Sequence, residues 1–471
     1  MSRRTEVAAI VETLRAIVGT EHVFDDPERK GPYLSEWRGR YSSAALAVVR
    51  PANTTEVSEL VSACSQAGVG MVPIGGNTGL VGGAVSTDSQ VLISLERMSR
   101  VRHLDALSAT IAVDAGCVLA NAQQAAADAG LLLPLSLSAE GSCQIGGNVS
   151  TGAGGLNVVR YGTVRDQVLG LEVVLPDGSV LDEMRALRKN TAGYDLKQWF
   201  IGAEGTLGII TGVALRLFPA PQHRQTIWLS VTNPRTVLEL FSRIRAEFGS
   251  LMTAFEFMSA NTVELIGRYL ESTPPIAAIS EGVHVLLELH GGNLELSDDS
   301  VLGFFAALER EGLCQASVVA TSESQRETFW RWRHSASAAQ KLAGVCIKHD
   351  IGLPLSAVPV FLEEIETPLQ RLAPECSIVA FGHIGDGNLH FTVAQPDNMD
   401  PEDFERMREP IASCVHGVVL AAGGTVSAEH GVGLLKRDVL PTQVGSVAID
   451  LMRSLKRTLD PEGLMNPGKV L

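Results

Sequence analysis

Residues 381–391 read FGHIGDGNLHF, and apolar runs flank this segment on both sides. The flanking runs predict two strands. The Gly-Asp-Gly-Asn sequence at 385–388 predicts a tight turn between them, because glycine and asparagine tolerate the positive φ angles that such a turn requires. A hairpin of this kind brings His383 and His390 to neighbouring positions in space. Two adjacent imidazoles are the beginning of a metal site.

A carboxylate and a third imidazole follow in the sequence Ser-Ala-Glu-His-Gly at 427–431. One histidine in an apolar strand is more often a core residue than a ligand, so each imidazole alone carries little information. Two imidazoles together with Glu429 resemble the ligand sets of catalytic divalent-metal sites, which leave one coordination position open. The spacing alone does not establish that Glu429 reaches the hairpin.

Size and composition indicate a mixed α and β enzyme with two or three domains, since the chain has 471 residues, 45% of them hydrophobic, and 46 glycines. A net charge of −15 without long blocks of either sign argues against binding nucleic acid or an anionic membrane through bulk charge. No apolar run approaches the roughly 18 residues that span a bilayer, and the N-terminus shows no cleavage motif. We therefore expect a cytoplasmic protein.

The seven cysteines are scattered and never form a Cys-x-x-Cys pair. This pattern predicts neither a disulfide framework nor the ligand run of an iron–sulfur cluster. Any electrons that the protein handles must leave through a partner or a diffusible acceptor.

Three glycine-rich segments occupy the first half of the chain. Residues 75–83 read GGNTGLVGG, with five glycines in nine residues, and further clusters lie at 138–155 and 201–210. Loops without Cβ atoms let consecutive backbone N–H groups converge on an anion, typically a diphosphate. The loop at 75–83 matches neither the Rossmann nor the Walker pattern, and alone it is equally consistent with a surface turn. Three clusters together favour an extended ligand held by backbone.

The second half of the chain begins near Pro219-Ala220-Pro221, which reads as a domain boundary. Strand-like and helix-like runs then alternate as in a compact α+β domain. A charged helix between 323 and 350 places Arg333 and Ser337 on one face, where they are able to bind a carboxylate. Without a partner motif, a solvated surface is the more common interpretation of such a helix.

Taken in order, five motifs make the chain similar to the flavin-linked D-2-hydroxyacid dehydrogenases, with D-2-hydroxyglutarate dehydrogenases the nearest in pattern. The resemblance runs from about residue 40 to the C-terminus. The motifs are PIGGNTGLVGG, SCQIGGNVST, FIGAEGTLGIIT, FGHIGDGNLH and SAEHGVGLLKR.

The resemblance implies an α+β fold with a PCMH-type FAD-binding domain of two α/β subdomains at 1–219. A substrate (cap) domain with an antiparallel sheet would follow at 220–420, and the segment 421–471 would return to the FAD-binding domain. FAD is expected to be non-covalent, because no histidine or cysteine stands at the tethering position. The implied cofactor residues are Pro73, Gly75, Gly76, Asn77, Thr78, Gly79, Gly82, Gly83, Ser138, Gly141, Ser142, Gly146, Gly147, Asn148, Glu204, Gly205, Gly208, Ile210 and Asn466.

The active-site residues implied by the same resemblance fall into three groups. They are the metal ligands His383, His390 and Glu429, the general base His430, and the substrate-carboxylate contacts Arg333, Ser337 and Lys348. Two positions depart from the family pattern: Gly152 and Thr392 stand where the relatives usually have asparagine.

The activity that the resemblance implies is the oxidation of a D-2-hydroxyacid with hydride transfer to flavin. We rank D-2-hydroxyglutarate first, because two cations and a metal suit a dicarboxylate, and D-lactate or glycolate second. A non-catalytic flavin subunit of a larger complex is a further alternative. Zinc is the expected metal, with manganese or cobalt as alternatives. Electron-transfer flavoprotein or a quinone-linked partner is the expected acceptor, and a homodimer is the expected assembly if the chain is not a monomer.

Overall fold

The computed structural model describes residues 3–36, 39–276, 282–292 and 296–471. Their contacts define two compact units. The first unit comprises Met1–Gly154, Gly162–Ala220 and Glu429–Leu471, and the second comprises Gly155–Tyr161 and Pro221–Ala428. The domain ranges expected from the sequence stay predictions, and the compact units differ from them by placing 155–161 and 421–428 in the second unit.

Eighteen strands are present in the described part of the chain. In chain order they are β1 (Val23–Phe24), β2 (Ala47–Val49), β3 (Met71–Ile74), β4 (Val91–Ser94), β5 (Val101–Asp105), β6 (Thr110–Asp114), β7 (Leu131–Leu132), β8 (Val168–Val174), β9 (Val180–Asp182), β10 (Ile209–Arg216), β11 (Phe218–Pro219), β12 (His223–Val231), β13 (Met252–Ser259), β14 (Val283–Gly291), β15 (Ala316–Val319), β16 (Cys346–Gly352), β17 (Ser377–Gly382) and β18 (Asn388–Ala394).

Seventeen α-helices are present in the same residues. They are α1 (Arg3–Val18), α2 (Pro27–Leu34), α3 (Thr54–Gln66), α4 (Leu119–Asp128), α5 (Ile145–Thr151), α6 (Val158–Tyr161), α7 (Val164–Gln167), α8 (Pro234–Phe248), α9 (Ala260–Leu270), α10 (Asp298–Arg310), α11 (Glu323–Ala339), α12 (Val358–Glu364), α13 (Glu366–Leu372), α14 (Pro401–Arg406), α15 (Arg408–Ala421), α16 (Leu440–Val444) and α17 (Ser446–Leu459). No helix in these ranges is long and apolar enough to cross a membrane.

The first unit is built on two sheets that share one hydrophobic core. The smaller sheet has the order β1-β2-β4-β3, in which β2, β4 and β3 are parallel, and the larger antiparallel sheet has the order β5-β6-β10-β8-β9. Asn53 caps the N-terminus of helix α3, since its side chain accepts a hydrogen bond from the backbone N–H of Glu56. The core joins buried residues of both sheets, such as Val91 and Val213.

The second unit is organised by one seven-stranded antiparallel sheet of order β15-β12-β14-β13-β17-β18-β16. Helices α9 and α11 pack on the face that carries Trp228, Met258 and Phe381. The predicted hairpin is confirmed, because β17 and β18 pair antiparallel with Phe381 opposite His390. The expected α+β class is likewise confirmed, and the second unit contains the antiparallel sheet.

The C-terminal segment is fastened into the first unit by an ion pair between a partly buried lysine and a buried aspartate. Lys456 Nζ contacts the Asp460 carboxylate and also donates to the carbonyls of Thr206 and Met465, each at 2.7 Å. Asp460 in turn accepts from the backbone N–H groups of Leu464 and Met465 at 3.0 and 2.9 Å. This network places Met465 beside Met71 of β3, where the two form a parallel bridge.

Replacing Asp460 with alanine is expected to destabilise the first unit by about 2 kcal/mol, because it removes the acceptor of two backbone N–H groups and leaves a partly buried ammonium without its carboxylate. Urea denaturation, followed by the fluorescence and far-UV signals, measures the shift of the transition. Asp450→Ala is the matched control, since Asp450 is an exposed acid of the same helix, α17. Equal stability of the two variants would contradict the structural role of the pair.

Candidate functional site

The first unit contains a cavity of about 300 Å³ whose walls come from all three glycine clusters. Backbone of the loop after β3, of the start of α5 and of the segment before β10 contributes to it. The predicted cofactor residues that line this cavity are Pro73, Gly75, Gly76, Asn77, Thr78, Gly79, Gly82, Gly83, Ser138, Gly146, Gly147, Asn148, Glu204, Gly205, Gly208 and Ile210.

The backbone around the cavity is held in conformations that side chains seldom adopt. Asn77, Glu204 and Asn466 have φ angles of 52°, 52° and 44°, in the left-handed region that favours glycine. Strained residues of this kind cluster at ligand sites, where the surrounding structure over-determines them. At Gly76 a Cβ atom would lie 2.1 Å from the carbonyl oxygen of Ser142, so the two loops approach each other only because this residue is glycine.

The polar atoms of the cavity fit a ligand such as FAD. Gln144 Oε1 and Asn148 Oδ1 are buried and have no hydrogen-bond partner among the described residues. Buried acceptors normally have a partner, so a ligand donor is needed there. A Cβ atom at Gly79 or Gly147 would meet nothing within 4 Å among the same residues, which leaves room beside the backbone.

One cysteine, Cys143, also lines the cavity. Burial raises the pKa of its thiol above the ordinary value, and the thiol therefore remains protonated and poorly nucleophilic at neutral pH. This chemistry supports the prediction of a non-covalent flavin.

Three predicted cofactor residues are not among the described residues that line the cavity: Gly141, Ser142 and Asn466. Asn466 Nδ2 donates to the carbonyls of Gly83 and Glu204, at 3.0 and 2.7 Å. Its side chain therefore joins the C-terminal turn to two loops of the cavity. The Oδ1 atom of Asn466 is buried and unbonded within the described part of the chain.

Gly152, the first departure from the family pattern, ends helix α5 with a φ of 67°. Asparagine is the residue that replaces glycine most readily in this left-handed conformation. Either residue can adopt this backbone conformation. The difference from the family pattern is therefore the missing amide side chain at position 152.

Glu429 and His430 line the same cavity of the first unit. Their side chains lie 3.8 Å apart, between His430 Nε2 and Glu429 Oε1. The loop that follows them is held by Glu204, whose carboxylate accepts from the backbone N–H groups of Val432 and Gly433 at 2.6 and 2.8 Å. Burial raises the pKa of Glu204, while these two backbone N–H groups oppose the rise. Glu204 thus positions the loop of His430.

In the second unit, the β17–β18 hairpin presents His383 and His390 side by side. Their ring centroids are 5.4 Å apart and their planes are nearly perpendicular, at 82°. His383 lies one residue beyond the end of β17. Gly382 and Gly387 make this geometry possible, because Cβ atoms there would lie 2.5 Å and 2.1 Å from backbone oxygens.

Behind His383 lies Glu256, a fully buried residue of β13. Its Oε1 atom accepts from His383 Nδ1 at 2.7 Å, and its Oε2 atom accepts from Arg333 Nε at 2.7 Å. Burial alone raises the pKa of Glu256, but the charge of Arg333 and the hydrogen bonds from His383 and Arg333 outweigh burial and hold this pKa below its usual value. Arg333 is only 5% exposed, so the interpretation of its helix as a solvated face is wrong at this position.

The other predicted substrate contacts are exposed: Ser337 on α11 and Lys348 on β16. Lys348 stands opposite Thr392 in the β16–β18 pairing, and Asp350 stands opposite His390. Thr392, the second departure from the pattern, is buried, and its hydroxyl accepts from Gln340 Nε2 at 2.8 Å.

Three residues that the structure brings to these sites were missed by the sequence interpretation: Gln144, Glu256 and Asp350. Asp350 is buried, and its Oδ1 atom lies 3.9 Å from His390 Nδ1. Glu256 had a signal, because it is the one charged residue in the apolar strand MTAFEFMS. Nothing in the sequence distinguishes Gln144 or Asp350 from the polar residues near them.

Two families match the chain. The family described as FAD linked oxidases, C-terminal domain, matches residues 220–470, and the FAD binding domain matches residues 45–183. Together they cover the cavity loops after β3, the hairpin and the C-terminal turn.

Curated relatives are similar over nearly the whole chain. The D-2-hydroxyglutarate dehydrogenase of Danio rerio is 36% identical, and the aligned region covers 95% of this chain and 82% of that relative. That of Arabidopsis thaliana is 33% identical, with 98% and 81% covered. A D-2-hydroxyglutarate–pyruvate transhydrogenase of Saccharomyces cerevisiae is 33% identical, with 97% and 93% covered.

The expectation of a cytoplasmic protein is wrong on this comparison, because the dehydrogenases from Danio rerio and Arabidopsis thaliana are named mitochondrial. These names point to mitochondria. Charge and hydropathy describe how a polypeptide behaves in water, and they do not distinguish one aqueous compartment from another.

Among solved structures, p-cresol methylhydroxylase with bound substrate is similar, with a TM-score of 0.79 and 16% identity, covering 99% of this chain and 97% of its own. This likeness shows the fold alone. The two family matches and the curated relatives place the chain among the FAD-linked oxidases, as a member of the flavin-linked D-2-hydroxyacid dehydrogenases.

Proposed function

We propose that the protein oxidises D-2-hydroxyglutarate to 2-oxoglutarate with FAD and a divalent metal ion, and passes the electrons to a separate acceptor. The observation that carries this proposal is the arrangement in the second unit, where Arg333, a buried carboxylate-binding group, is joined through Glu256 to the imidazole of His383, next to His390. An anion-binding group and a pair of metal-binding groups on one scaffold suit a hydroxyacid substrate.

The names of the relatives support the same substrate. Enzymes from Danio rerio and Arabidopsis thaliana are named for D-2-hydroxyglutarate, and the yeast relative is named for its transfer of electrons from that compound to pyruvate. The two carboxylates of 2-hydroxyglutarate need two cationic contacts. Arg333 and Lys348 are the proposed pair, with Ser337 as a further contact on α11.

The chain's own residues have distinct proposed roles. Bound FAD would supply a hydride acceptor, and a bound cation, most suitably zinc, would lower the pKa of the substrate hydroxyl. His383 and His390 are the proposed ligands from the second unit, and Glu429 as a third ligand stays a prediction. His430 is the proposed base for the hydroxyl proton, since a neutral imidazole has a nitrogen lone pair that accepts a proton.

D-lactate is the second candidate substrate, and one residue favours it. Thr392 stands where the D-2-hydroxyglutarate enzymes usually carry asparagine, and its hydroxyl is already bonded to Gln340. If the residue at position 392 contacts the distal carboxylate, the absence of asparagine weakens the binding of D-lactate less, because D-lactate has no distal carboxylate. A non-catalytic flavin subunit is not favoured, because the relatives are named as dehydrogenases and a transhydrogenase.

The acceptor is proposed to be electron-transfer flavoprotein or a quinone-linked partner. A 2-oxoacid is an alternative that the name of the yeast relative suggests. Incubating the reduced enzyme with pyruvate under anaerobic conditions distinguishes them, since reoxidation of the flavin by pyruvate alone would remove the need for a protein acceptor.

Anaerobic mixing with D-2-hydroxyglutarate, D-lactate or D-malate tests the substrate. We expect D-2-hydroxyglutarate to bleach the flavin absorbance fastest at low concentration, because its two carboxylates use both proposed cations, whereas D-lactate has one carboxylate and D-malate is one methylene shorter. L-2-hydroxyglutarate is the stereochemical control. Faster bleaching by D-lactate would select the second candidate, and no bleaching by any hydroxyacid would reject both.

Removal of the metal tests the role of the imidazole pair. Dialysis against a chelator is expected to leave FAD in place and to abolish flavin reduction, and zinc, manganese or cobalt should restore it to different extents. Metal analysis of the untreated protein identifies the native ion. Full flavin reduction in the metal-free protein would show that no cation is required.

His430→Ala is expected to slow flavin reduction by roughly 100-fold or more, the usual contribution of a general base, while FAD content stays unchanged. Rapid-mixing absorbance measures the rate. His103→Ala is the control, because His103 is an exposed histidine of the same unit, on β5. A rate near that of the unsubstituted enzyme would exclude His430 as the base.

A further inference from the structure

We propose that Glu256 is a positioning residue that couples the metal-binding imidazole of His383 to the carboxylate-binding guanidinium of Arg333. This inference rests on the proposed function, because it assigns Glu256 a role toward the same metal and substrate. Glu256 is fully buried on β13. One carboxylate oxygen, Oε1, contacts His383, and the other, Oε2, contacts Arg333.

The contact to His383 determines which ring nitrogen is available to a metal. A carboxylate only accepts hydrogen bonds, so the 2.7 Å contact requires that His383 Nδ1 carries the hydrogen. The lone pair then resides on Nε2, and the hydrogen bond at Nδ1 fixes the orientation of the ring. Histidine ligands are commonly oriented by a carboxylate in this way, which also makes the ligand nitrogen more basic.

The contact to Arg333 fixes the position of the guanidinium. Nε donates to Glu256 Oε2 at 2.7 Å, and Nη2 lies 2.6 Å from the same oxygen, so one edge of the guanidinium faces the carboxylate. The ring of Phe381 supports the guanidinium at 4.9 Å from its centroid. Arg333, whose side chain is almost fully buried, is therefore held in place.

The register of the sheet explains why one residue serves both partners. β13 pairs with β17, with Phe257 opposite Gly382, so Glu256 lies next to the point where the hairpin leaves its strand. Arg333 reaches the same carboxylate from α11. Any movement of Glu256 would displace the imidazole and the guanidinium together.

The test substitutes Glu256→Gln in the FAD-bound, full-length protein. Glutamine has nearly the same shape but no charge, so it cannot hold both partners as a carboxylate does. We expect zinc affinity, measured by competition with a chromophoric chelator, to fall roughly 10–100-fold, the usual effect of losing such a carboxylate. We also expect KM for D-2-hydroxyglutarate to rise, while FAD content is unchanged.

Glu288→Gln is the matched control. Glu288 is a buried glutamate of the neighbouring strand β14, and it bonds the imidazole of His290 at 2.7 Å, but neither His383 nor Arg333 bonds to it. This variant measures the general effect of removing a buried carboxylate–histidine pair from the same sheet. Its zinc affinity and KM should equal those of the unsubstituted protein.

If Glu256→Gln fails to fold, the double variant Glu256→Gln/Arg333→Met removes the unpaired guanidinium and keeps the test of the His383 contact, since its zinc affinity should still fall. Unchanged zinc affinity and KM in a folded Glu256→Gln protein would overturn the inference. If the unsubstituted protein binds no zinc, manganese or cobalt, the proposed metal function fails instead, and the two failures are thereby distinguished.

Discussion

The carboxylate of Glu256, buried in the sheet of the second unit, is the interaction on which the candidate chemistry depends. A buried carboxylate without partners is strongly unfavourable, so this one requires both Arg333 and His383 in place. The same requirement gives the unit its specificity: an imidazole and a guanidinium, from a hairpin and a helix far apart in sequence, are held at one carboxylate with little freedom. Apolar packing around Phe381 excludes water from the group and strengthens it.

The first unit differs, because many of the residues that line its cavity are glycines. Close approach of loops at Gly76 and the left-handed conformations of Asn77 and Glu204 would be unfavourable in isolation. They are maintained by contacts between segments that are far apart in the chain. Glu204 holds the loop after His430, Asn466 joins two cavity loops, and the ion pair of Lys456 and Asp460 secures the C-terminal turn.

Much of this arrangement was readable from local patterns. The hairpin at 381–391 follows from its turn residues and the apolar runs beside it, and the hairpin is present, as is the charged helix between 323 and 350. The glycine clusters indicated a ligand held by backbone, and their residues line one cavity. Arg333 shows the limit of local patterns, since helical periodicity does not tell whether a charged residue faces water or a buried carboxylate in a distant strand.

The sequence by itself determined which segments form strands, turns and helices, and which residue types are available for binding, because these depend on neighbours within a few positions. Only the tertiary structure decided that Glu256 joins His383 to Arg333, and that Glu204 supports the loop of His430. These contacts span 127, 77 and more than 200 positions of the chain. Pairing of this kind follows from sheet register and helix packing, which no local pattern specifies.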